Sequence, residues 1–126
     1  MLIRSKAPLR LGLAGGGTDV SPYSDLYGGG ILNATINLYA YATIEPTDNG
    51  MIIFETADGS NVKVYDAGVI KPEGIFDIHA GIYNRISSNY PDKKLSFRLI
   101  TSLDAPQQSG LGTSSTLAVA ILGTFV

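Results

Sequence analysis

The feature that most constrains the fold is an almost uniformly apolar segment at the end of the chain, from Thr116 to Val126. It follows a glycine-rich turn, and the two together predict a helix that runs from Gly110 to Val126. A helix that is apolar on nearly every side must be buried on most sides. The preceding strands can cover one face of this helix, so another element must cover the rest. The segment is too short to cross a bilayer, which takes about 20 residues.

The segments before this helix read mainly as strands. Polar and apolar residues alternate over 31–45 with the period of a strand, and Asp58-Gly59 between two apolar runs is a hairpin signal. The order of segments predicts one α+β domain over residues 1–126: a mixed, mainly antiparallel sheet with helices on one face. The predicted strands are 2–13, 31–45, 51–56, 61–65 and 95–101; the predicted helices before the last are a short turn at 21–26 and a longer one at 74–88.

The pattern of the last helix stops at Val126 without a capping glycine, a closing basic residue or a proline beyond it. We therefore expect the natural protein to continue past this residue, or a partner chain to cover the helix. Self-association through the apolar helix is a further expectation, because large exposed apolar patches tend to associate.

Charge and composition argue against several function classes. The net charge is −2 and charged residues make up only 16% of the chain, with no basic stripe. We therefore expect neither a nucleic acid nor a membrane as a partner. The absence of cysteine excludes disulfides and thiolate metal sites and fits a cytoplasmic protein. The single histidine, His79, lies among isoleucines near helical spacing, which favours a structural role.

The stretch with the most specific chemistry is 106–115, where a strand leads into a glycine-rich turn and a helix leaves it. Its two glycines allow the backbone to approach a ligand closely, and the free N–H groups of the first helical turn attract an anion. Thr113, Ser114 and Ser115 add hydroxyls that can donate to phosphate or bind Mg²⁺. Helix capping and ordinary turns explain each of these residues singly, but they explain the whole run less well.

Two common phosphate-binding motifs do not fit this stretch. A Walker A loop is excluded because no lysine follows Gly112. A dinucleotide-binding fingerprint fails because Ser115 stands where the third glycine belongs.

A second glycine-rich turn follows the first strand, at 15–17, and leads to Thr18 and Asp19. A triple glycine indicates close backbone approach or a strained conformation. The Asp19 carboxylate can accept two hydroxyl hydrogen bonds, which suits a sugar; alternatively, Asp19 caps the short helix after it. Arg10, on the strand, either binds a substrate phosphate or pairs with a structural carboxylate.

The later stretch resembles the second motif of the GHMP family of small-molecule kinases, commonly written P-x-x-x-G-L-G-S-S-A. In that family the loop wraps the phosphates of ATP, and a serine hydroxyl of the loop commonly binds Mg²⁺. The resemblance therefore implies Mg²⁺ ligation by Ser114 or Ser115. It implies ATP-phosphate binding by Pro106, Ser109, Gly110, Leu111, Gly112, Thr113, Ser114 and Ser115.

The earlier stretch is similar to the first motif of the same family, in which a Pro-x-Arg strand precedes a glycine-rich turn and a Thr-Asp pair. Its continuation, with Tyr27-Gly-Gly and Asn33-Ala-Thr-Ile, resembles the heptose 7-phosphate kinases of bacteria, which transfer the γ-phosphoryl of ATP to O1 of the sugar. The residues that the resemblance assigns to the acceptor are Arg10, Gly16, Gly17, Thr18 and Asp19.

The resemblance implies a ribosomal-protein-like N-terminal domain of an ATP- and Mg²⁺-dependent sugar or sugar-phosphate kinase, with D-glycero-D-manno-heptose 7-phosphate as the expected acceptor. It also implies that the catalytic Asp lies beyond Val126, so that the chain alone is inactive. Three alternatives stay open at this point: a kinase for another acceptor such as galactose, a nucleotide- or sugar-binding protein without catalysis, and an RNA-binding domain of similar fold. The net charge argues against the last.

Overall fold

The computed structural model describes residues 1–126 as one five-stranded sheet with three α-helices and a single 3₁₀ turn. The predicted α+β class is confirmed, and most element boundaries fall within two residues of the predicted ones. The elements are β1 (Ile3–Ala14), α1 (Tyr23–Tyr27), β2 (Leu32–Pro46), β3 (Met51–Thr56), β4 (Val62–Asp66), a 3₁₀ turn (Gly74–Phe76), α2 (Asp77–Asn89), β5 (Phe97–Leu103) and α3 (Thr113–Gly123).

The strands lie in the order β1-β2-β5-β3-β4, and every neighbouring pair is antiparallel except β3 with β5. A parallel pair needs a long connection between its strands. Here β4 and α2 lie within that connection. The sheet is therefore mixed but mainly antiparallel, as the sequence predicts.

The core lies on one face of this sheet. Inward-facing residues alternate along the strands, so that Ala40, Ala42 and Ile44 of β2 are all buried while their neighbours are less so. Phe54 and Leu99 continue this face on β3 and β5. Both long helices belong to the same core: α3 packs on β1 and β2, and α2 packs beside α3. The other face of the sheet carries no helix.

The last helix is shorter than predicted, because α3 ends at Gly123 rather than at Val126. Thr124 caps it: its backbone N–H and its hydroxyl both donate to the carbonyl of Ile121, the hydroxyl at 2.7 Å, and Thr124 is buried. The predicted end of the helix at Val126 was therefore wrong, by three residues. The apolar residues on its exposed side are Val119 and Leu122. No helix of the protein meets the length and apolarity needed to span a membrane.

His79 has the structural role that its position predicts. It is buried on α2 between Phe54 and Phe76, and its Nε2 lies 3.0 Å from the hydroxyl of Thr101. Its Nδ1 has no partner, which favours the neutral tautomer with the proton on Nε2, since an unpaired lone pair costs less than an unpaired N–H. Burial lowers the pKa of His79 to about 4.

The far halves of β1 and β2 extend beyond the core as a two-stranded ribbon. The side chains of this ribbon are largely exposed, including Leu11 and Leu13 on β1 and Leu32 on β2. The pairing register shifts twice along β1, between Pro8 and Arg10 and again between Gly12 and Ala14. The ribbon carries the first glycine-rich turn at its tip, away from the packed core.

Candidate functional site

The later glycine-rich loop has the geometry of an anion site. Gly110 and Gly112 adopt positive φ angles of 78° and 69°, which side chains disfavour, and Gly112 takes the N-cap position of α3 without a side-chain cap. The backbone N–H groups of Gly110, Thr113 and Ser114 donate to no group in the protein. Unpaired amides at a helix N-terminus are suited to bind phosphate.

The three hydroxyls after Gly112 differ in availability. Thr113 is buried. The Ser115 hydroxyl donates to the Gly112 carbonyl at 3.2 Å and accepts from Arg10 at 3.1 Å. Ser114 is exposed and its hydroxyl makes no hydrogen bond. Of the two predicted metal ligands, Ser114 is therefore the one that a cation can reach without displacing an existing contact.

Arg10 connects β1 to this loop. Its backbone N–H donates to the Leu111 carbonyl at 3.1 Å, and its side chain donates to Ser115. A Cβ on Gly112 would lie 2.8 Å from the guanidinium carbon, so the absence of a side chain at Gly112 makes room for Arg10. No carboxylate among residues 1–126 lies within ion-pair distance of Arg10.

The structure brings the predicted phosphate-loop residues into one connection between β5 and α3. Pro106 and Ser109 are exposed at its start, and Leu111 is half-buried where its carbonyl meets β1. The chemistry present is that of amides, hydroxyls and one guanidinium. No group of three or more His, Asp or Glu side chains lies close enough together to hold a metal ion.

The earlier glycine-rich turn is closed by the side chain of Thr18. Its hydroxyl lies 2.7 Å from the Gly15 carbonyl and 3.1 Å from the carbonyl of Gly30, and it accepts the N–H of Gly30 at 3.1 Å. The backbone N–H groups of Gly16 and Gly17 have no partner in the protein. Thr18 is thus occupied by contacts within the protein, whereas the glycines leave free donors.

We call the hydrogen bonds of the Thr18 hydroxyl to Gly15 and Gly30 the Thr18 clasp. Asp19 directly follows Thr18, is exposed, and its carboxylate makes no hydrogen bond in the protein. It does not cap α1: the N-cap position is Pro22, which has no side-chain cap, and the Ser21 hydroxyl bonds Asp25 instead. The alternative of a capping role for Asp19 was therefore wrong. A free carboxylate beside free amides remains available to a ligand.

The contact between the second triple glycine, 28–30, and the first was not predicted from the sequence. A Cβ on Gly29 would lie 2.5 Å from the Thr18 carbonyl carbon, and one on Gly15 would lie 3.0 Å from the Gly30 carbonyl carbon. The two triple glycines therefore pack backbone against backbone. The signal available in the sequence was the repetition of the glycine run on either side of a short helix.

A cavity beside the later loop was also missed. It has a volume of about 250 Å³, and His79 and Thr101 lie in its wall. A second cavity of about 160 Å³ is lined by Thr113 and Ser114, and both cavities share Gln107 as a wall. Together they form a groove that leads from the interior to the start of α3.

Two acidic residues line this groove: Asp58 lies in the wall of the larger cavity, and Asp77 lies in the wall of the smaller one, with Thr113 and Ser114. Asp58, at the tip of the β3–β4 hairpin, lines the larger cavity. Its carboxylate accepts hydrogen bonds from the Thr56 hydroxyl at 2.7 Å and from the backbone and hydroxyl of Ser60. The Thr56 hydroxyl first, and the Ser60 groups after it, lower the pKa of Asp58 to about 2. Asp58 therefore carries a negative charge at neutral pH at the end of the groove away from Ser114, whereas Asp77 lies at the same end as Ser114.

Comparison with known proteins supports this description. No family model matches the chain. The D-glycero-alpha-D-manno-heptose 7-phosphate kinase of Campylobacter jejuni is 47% identical over 124 residues, covering 98% of this chain and 37% of the relative. A crystal structure of a D-glycero-D-manno-heptose 1-phosphate kinase from Bacteroides thetaiotaomicron is 55% identical with a TM-score of 0.90, covering 99% of this chain and 41% of that chain.

A more distant structure shows how far the fold extends. The galactokinase of Lactococcus lactis, solved with galactose, is 21% identical with a TM-score of 0.73, covering 94% of this chain and 30% of that one. At this identity the likeness concerns the fold alone.

In fold, the chain is similar to part of several small-molecule kinases, the galactokinase among them. Within that class, the predicted resemblance to the D-glycero-D-manno-heptose phosphate kinases is confirmed. The chain spans 37% and 41% of the lengths of the two heptose kinases it matches. What the whole protein does is therefore a separate question from what this part resembles.

Proposed function

We propose that the whole protein is an ATP-dependent kinase of D-glycero-D-manno-heptose 7-phosphate, acting at O1 and working in the cytoplasm, where ATP is supplied. The observation that carries this proposal is the arrangement of the two loops. The strand β1 connects the two loops. Asp19, with a free carboxylate, follows its end, and Arg10 in the strand contacts the later loop, where the N–H groups of Gly110, Thr113 and Ser114 are free. The 47% identity to a heptose 7-phosphate kinase supports the same acceptor.

The nucleotide would lie along the groove beside the later loop. Its phosphates would accept hydrogen bonds from the free N–H groups at Gly110, Thr113 and Ser114, aided by the helix dipole. The nucleoside would extend towards the larger cavity, past Gln107. The free N–H groups of the loop lie close to that cavity, because the smaller cavity at Thr113 and Ser114 shares Gln107 with the larger one.

Mg²⁺ would accompany the phosphates, and its chemistry is the neutralisation of charge on the transferred group. The free, exposed hydroxyl of Ser114 fits a hard cation that prefers oxygen ligands. Ser115 fits less well, since its oxygen already accepts from the positively charged Arg10. Of the two predicted metal ligands, Ser114 and Ser115, we therefore propose only Ser114.

The acceptor would lie at the earlier loop. The Asp19 carboxylate would accept hydrogen bonds from sugar hydroxyls, and the free amides of Gly16 and Gly17 would donate to an oxygen of the sugar or of its phosphate. Arg10, whose guanidinium points towards the later loop, would lie between the acceptor and the nucleotide phosphates. In the reaction, the bond from the γ-phosphorus to the bridging oxygen that leaves with ADP breaks, a bond to the acceptor oxygen forms, and the proton of the acceptor hydroxyl passes to a base, the role of the Asp expected beyond Val126. Positioning by these groups is therefore the main contribution of this part.

The direct test is release of ADP from Mg·ATP by the full-length gene product. The acceptor panel is heptose 7-phosphate, heptose 1-phosphate, the free heptose and galactose, because the names of the two similar kinases place the phosphate differently. Turnover on heptose 7-phosphate with little on the others is the expected result. Turnover on heptose 1-phosphate or galactose alone would reassign the acceptor, and ATP binding without any turnover would favour a binding protein.

A further inference from the structure

Two segments that are 13 residues apart in sequence meet at the earlier loop: the triple glycines 15–17 and 28–30. Their contact involves only backbone atoms and one side chain, that of Thr18. The Thr18 hydroxyl donates its one proton to the Gly15 carbonyl, the nearer of two carbonyls in reach, and accepts the N–H of Gly30 from the other segment. A single hydroxyl thus holds the two segments together.

The closest contact falls on the peptide bond that carries Asp19. A Cβ on Gly29 would lie 2.5 Å from the Thr18 carbonyl carbon and 3.0 Å from the Asp19 nitrogen, and it would overlap the Thr18 carbonyl oxygen. Backbone atoms cannot yield to such an overlap as a flexible side chain can. The Thr18–Asp19 peptide therefore packs directly against the Cα of Gly29.

The side chain of Asp19 has no contact that would orient it otherwise. Its carboxylate makes no hydrogen bond and it is exposed, so the direction in which it leaves the chain is set by its backbone alone. The backbone in turn is fixed by Thr18 on one side and by Gly29 on the other. A displacement of about 1 Å in a group that orients a substrate can lower the rate by about 100-fold.

We infer that Thr18 and Gly29 are positioning residues that aim Asp19 at the acceptor, Thr18 through its hydroxyl clasp and Gly29 through the absence of a side chain. This inference rests on the proposed function, because it assumes that Asp19 contacts the acceptor. It changes the role that the sequence suggested for Thr18, from direct contact with the acceptor to closure of the loop.

The test uses two matched pairs of variants of the full-length gene product. Thr18→Val removes the hydroxyl at nearly constant shape, whereas Thr18→Ser keeps it. Gly29→Ala adds the overlapping Cβ, whereas Gly30→Ala adds a Cβ with no atom within 4 Å at an ordinary φ in the same segment. The measurements are KM for the acceptor, KM for ATP, kcat and the thermal midpoint of each variant.

For Thr18→Val and Gly29→Ala we expect the acceptor KM to rise about tenfold or more while the ATP KM stays within about twofold. Thr18→Ser should restore most of the acceptor affinity, and Gly30→Ala should lose less than Gly29→Ala. If both KM values and the thermal midpoint change together, or if Thr18→Val behaves as wild type, the positioning role is overturned.

A second readout separates this inference from the proposed function. Hydrogen exchange at the Gly30 amide should accelerate in Thr18→Val and not in Thr18→Ser, since that amide donates to the Thr18 hydroxyl. Unchanged exchange would overturn the clasp even in an active enzyme. A wild-type protein that shows no turnover on any acceptor would overturn the proposed function and the positioning role with it, while the exchange result would still report on the clasp.

Discussion

Both glycine-rich loops of this protein present free backbone N–H groups, but different contacts hold each loop in place. The later loop is organised locally: a strand enters, α3 leaves, and the free amides follow from the helix N-terminus at Gly112. The earlier loop is organised by a distant segment, because Thr18 and Gly29 bring two triple glycines together. Both loops contain glycines with positive φ, but only in the earlier loop would an added Cβ, on Gly15 or Gly29, overlap the backbone of another segment.

This difference has a consequence for how each loop fails. The later loop should be disturbed by substitutions within the loop itself or at Arg10, which contacts it from β1. A loop held by a second segment is disturbed by changes at residues that touch no ligand. The following predictions test that contrast, beginning with the largest expected effect.

Replacement of Asp19 by Asn should have the largest effect on turnover. The loss of a charged acceptor for sugar hydroxyls should lower kcat/KM for the acceptor by about 100-fold, the range expected for hydrogen bonds to a charged group. Because the later loop is separate, the Kd for Mg·ATP should stay within about twofold of the wild-type value. Steady-state kinetics and calorimetric ATP titration measure the two quantities, and an equal loss in both would contradict the separation of the loops.

The Gly112→Ala substitution should damage the later loop more than Gly110→Ala. Both residues need a positive φ, which costs a side chain roughly 1–2 kcal/mol. Only a side chain at Gly112 would also displace the guanidinium of Arg10, which is flexible but would lose its hydrogen bond to Ser115, while Gly110 has open space around it. We expect ATP affinity to fall about tenfold further in Gly112→Ala, on the order of 1.4 kcal/mol. Equal ATP affinities of the two variants would show that the Arg10 contact does not shape the loop.

The Ser114→Ala and Ser115→Ala pair tests which hydroxyl serves Mg²⁺. The free hydroxyl of Ser114 should matter more, so the Mg²⁺ concentration for half-maximal rate should rise on the order of tenfold in Ser114→Ala. In Ser115→Ala the main change should be a lower thermal midpoint, since Ser115 links Gly112 to Arg10. Titrating Mg²⁺ at fixed ATP distinguishes the two, and the reverse order would reassign the ligand to Ser115.

Acid should destabilise the fold through His79, without a change in activity at neutral pH. The pKa of His79 is about 4 in the folded state against 6.5 in the unfolded state, so the unfolded chain binds the proton more readily. The stability from burying neutral His79 is full above pH 6.5 and decreases as pH falls towards 4, by about 2 kcal/mol between pH 7 and pH 5. Urea unfolding at several pH values measures this slope. The control, His79→Gln, cannot titrate and should lack this contribution; identical slopes in both proteins would contradict it.

Much of the later loop was predictable because its determinants are consecutive in sequence. Gly110, Gly112 and the three hydroxyls specify a turn and a helix start without help from elsewhere, and the alternating residues of β2 specify a strand in the same way. The end of α3 was not predictable from polarity, because Thr124 caps the helix by bonding back to Ile121. The cavity with His79 in its wall joins residues from several elements, so no local pattern encodes it.

The earlier loop was only half predictable. The sequence indicated that 15–17 and Asp19 form a ligand-binding turn, but it did not indicate which residues of 28–30 would contact that turn. This contact depends on the direction in which the chain leaves α1, and that direction is set by tertiary structure. Likewise, Arg10 was expected to meet a carboxylate or a phosphate, and its contact with Ser115 became visible only once β1 and α3 were adjacent.

The strand β1 also sets the length between the two loops. Arg10 is attached to the later loop, and Thr18 lies in the turn that follows the end of β1 at Ala14, beyond the shift in register near Gly12. Each residue of a strand adds about 3.3 Å and reverses the face on which the next side chain lies. Inserting or deleting one residue between Arg10 and Gly15 would therefore change both the reach and the orientation of Asp19, so that variation in length should be tolerated in the hairpin turns but not here.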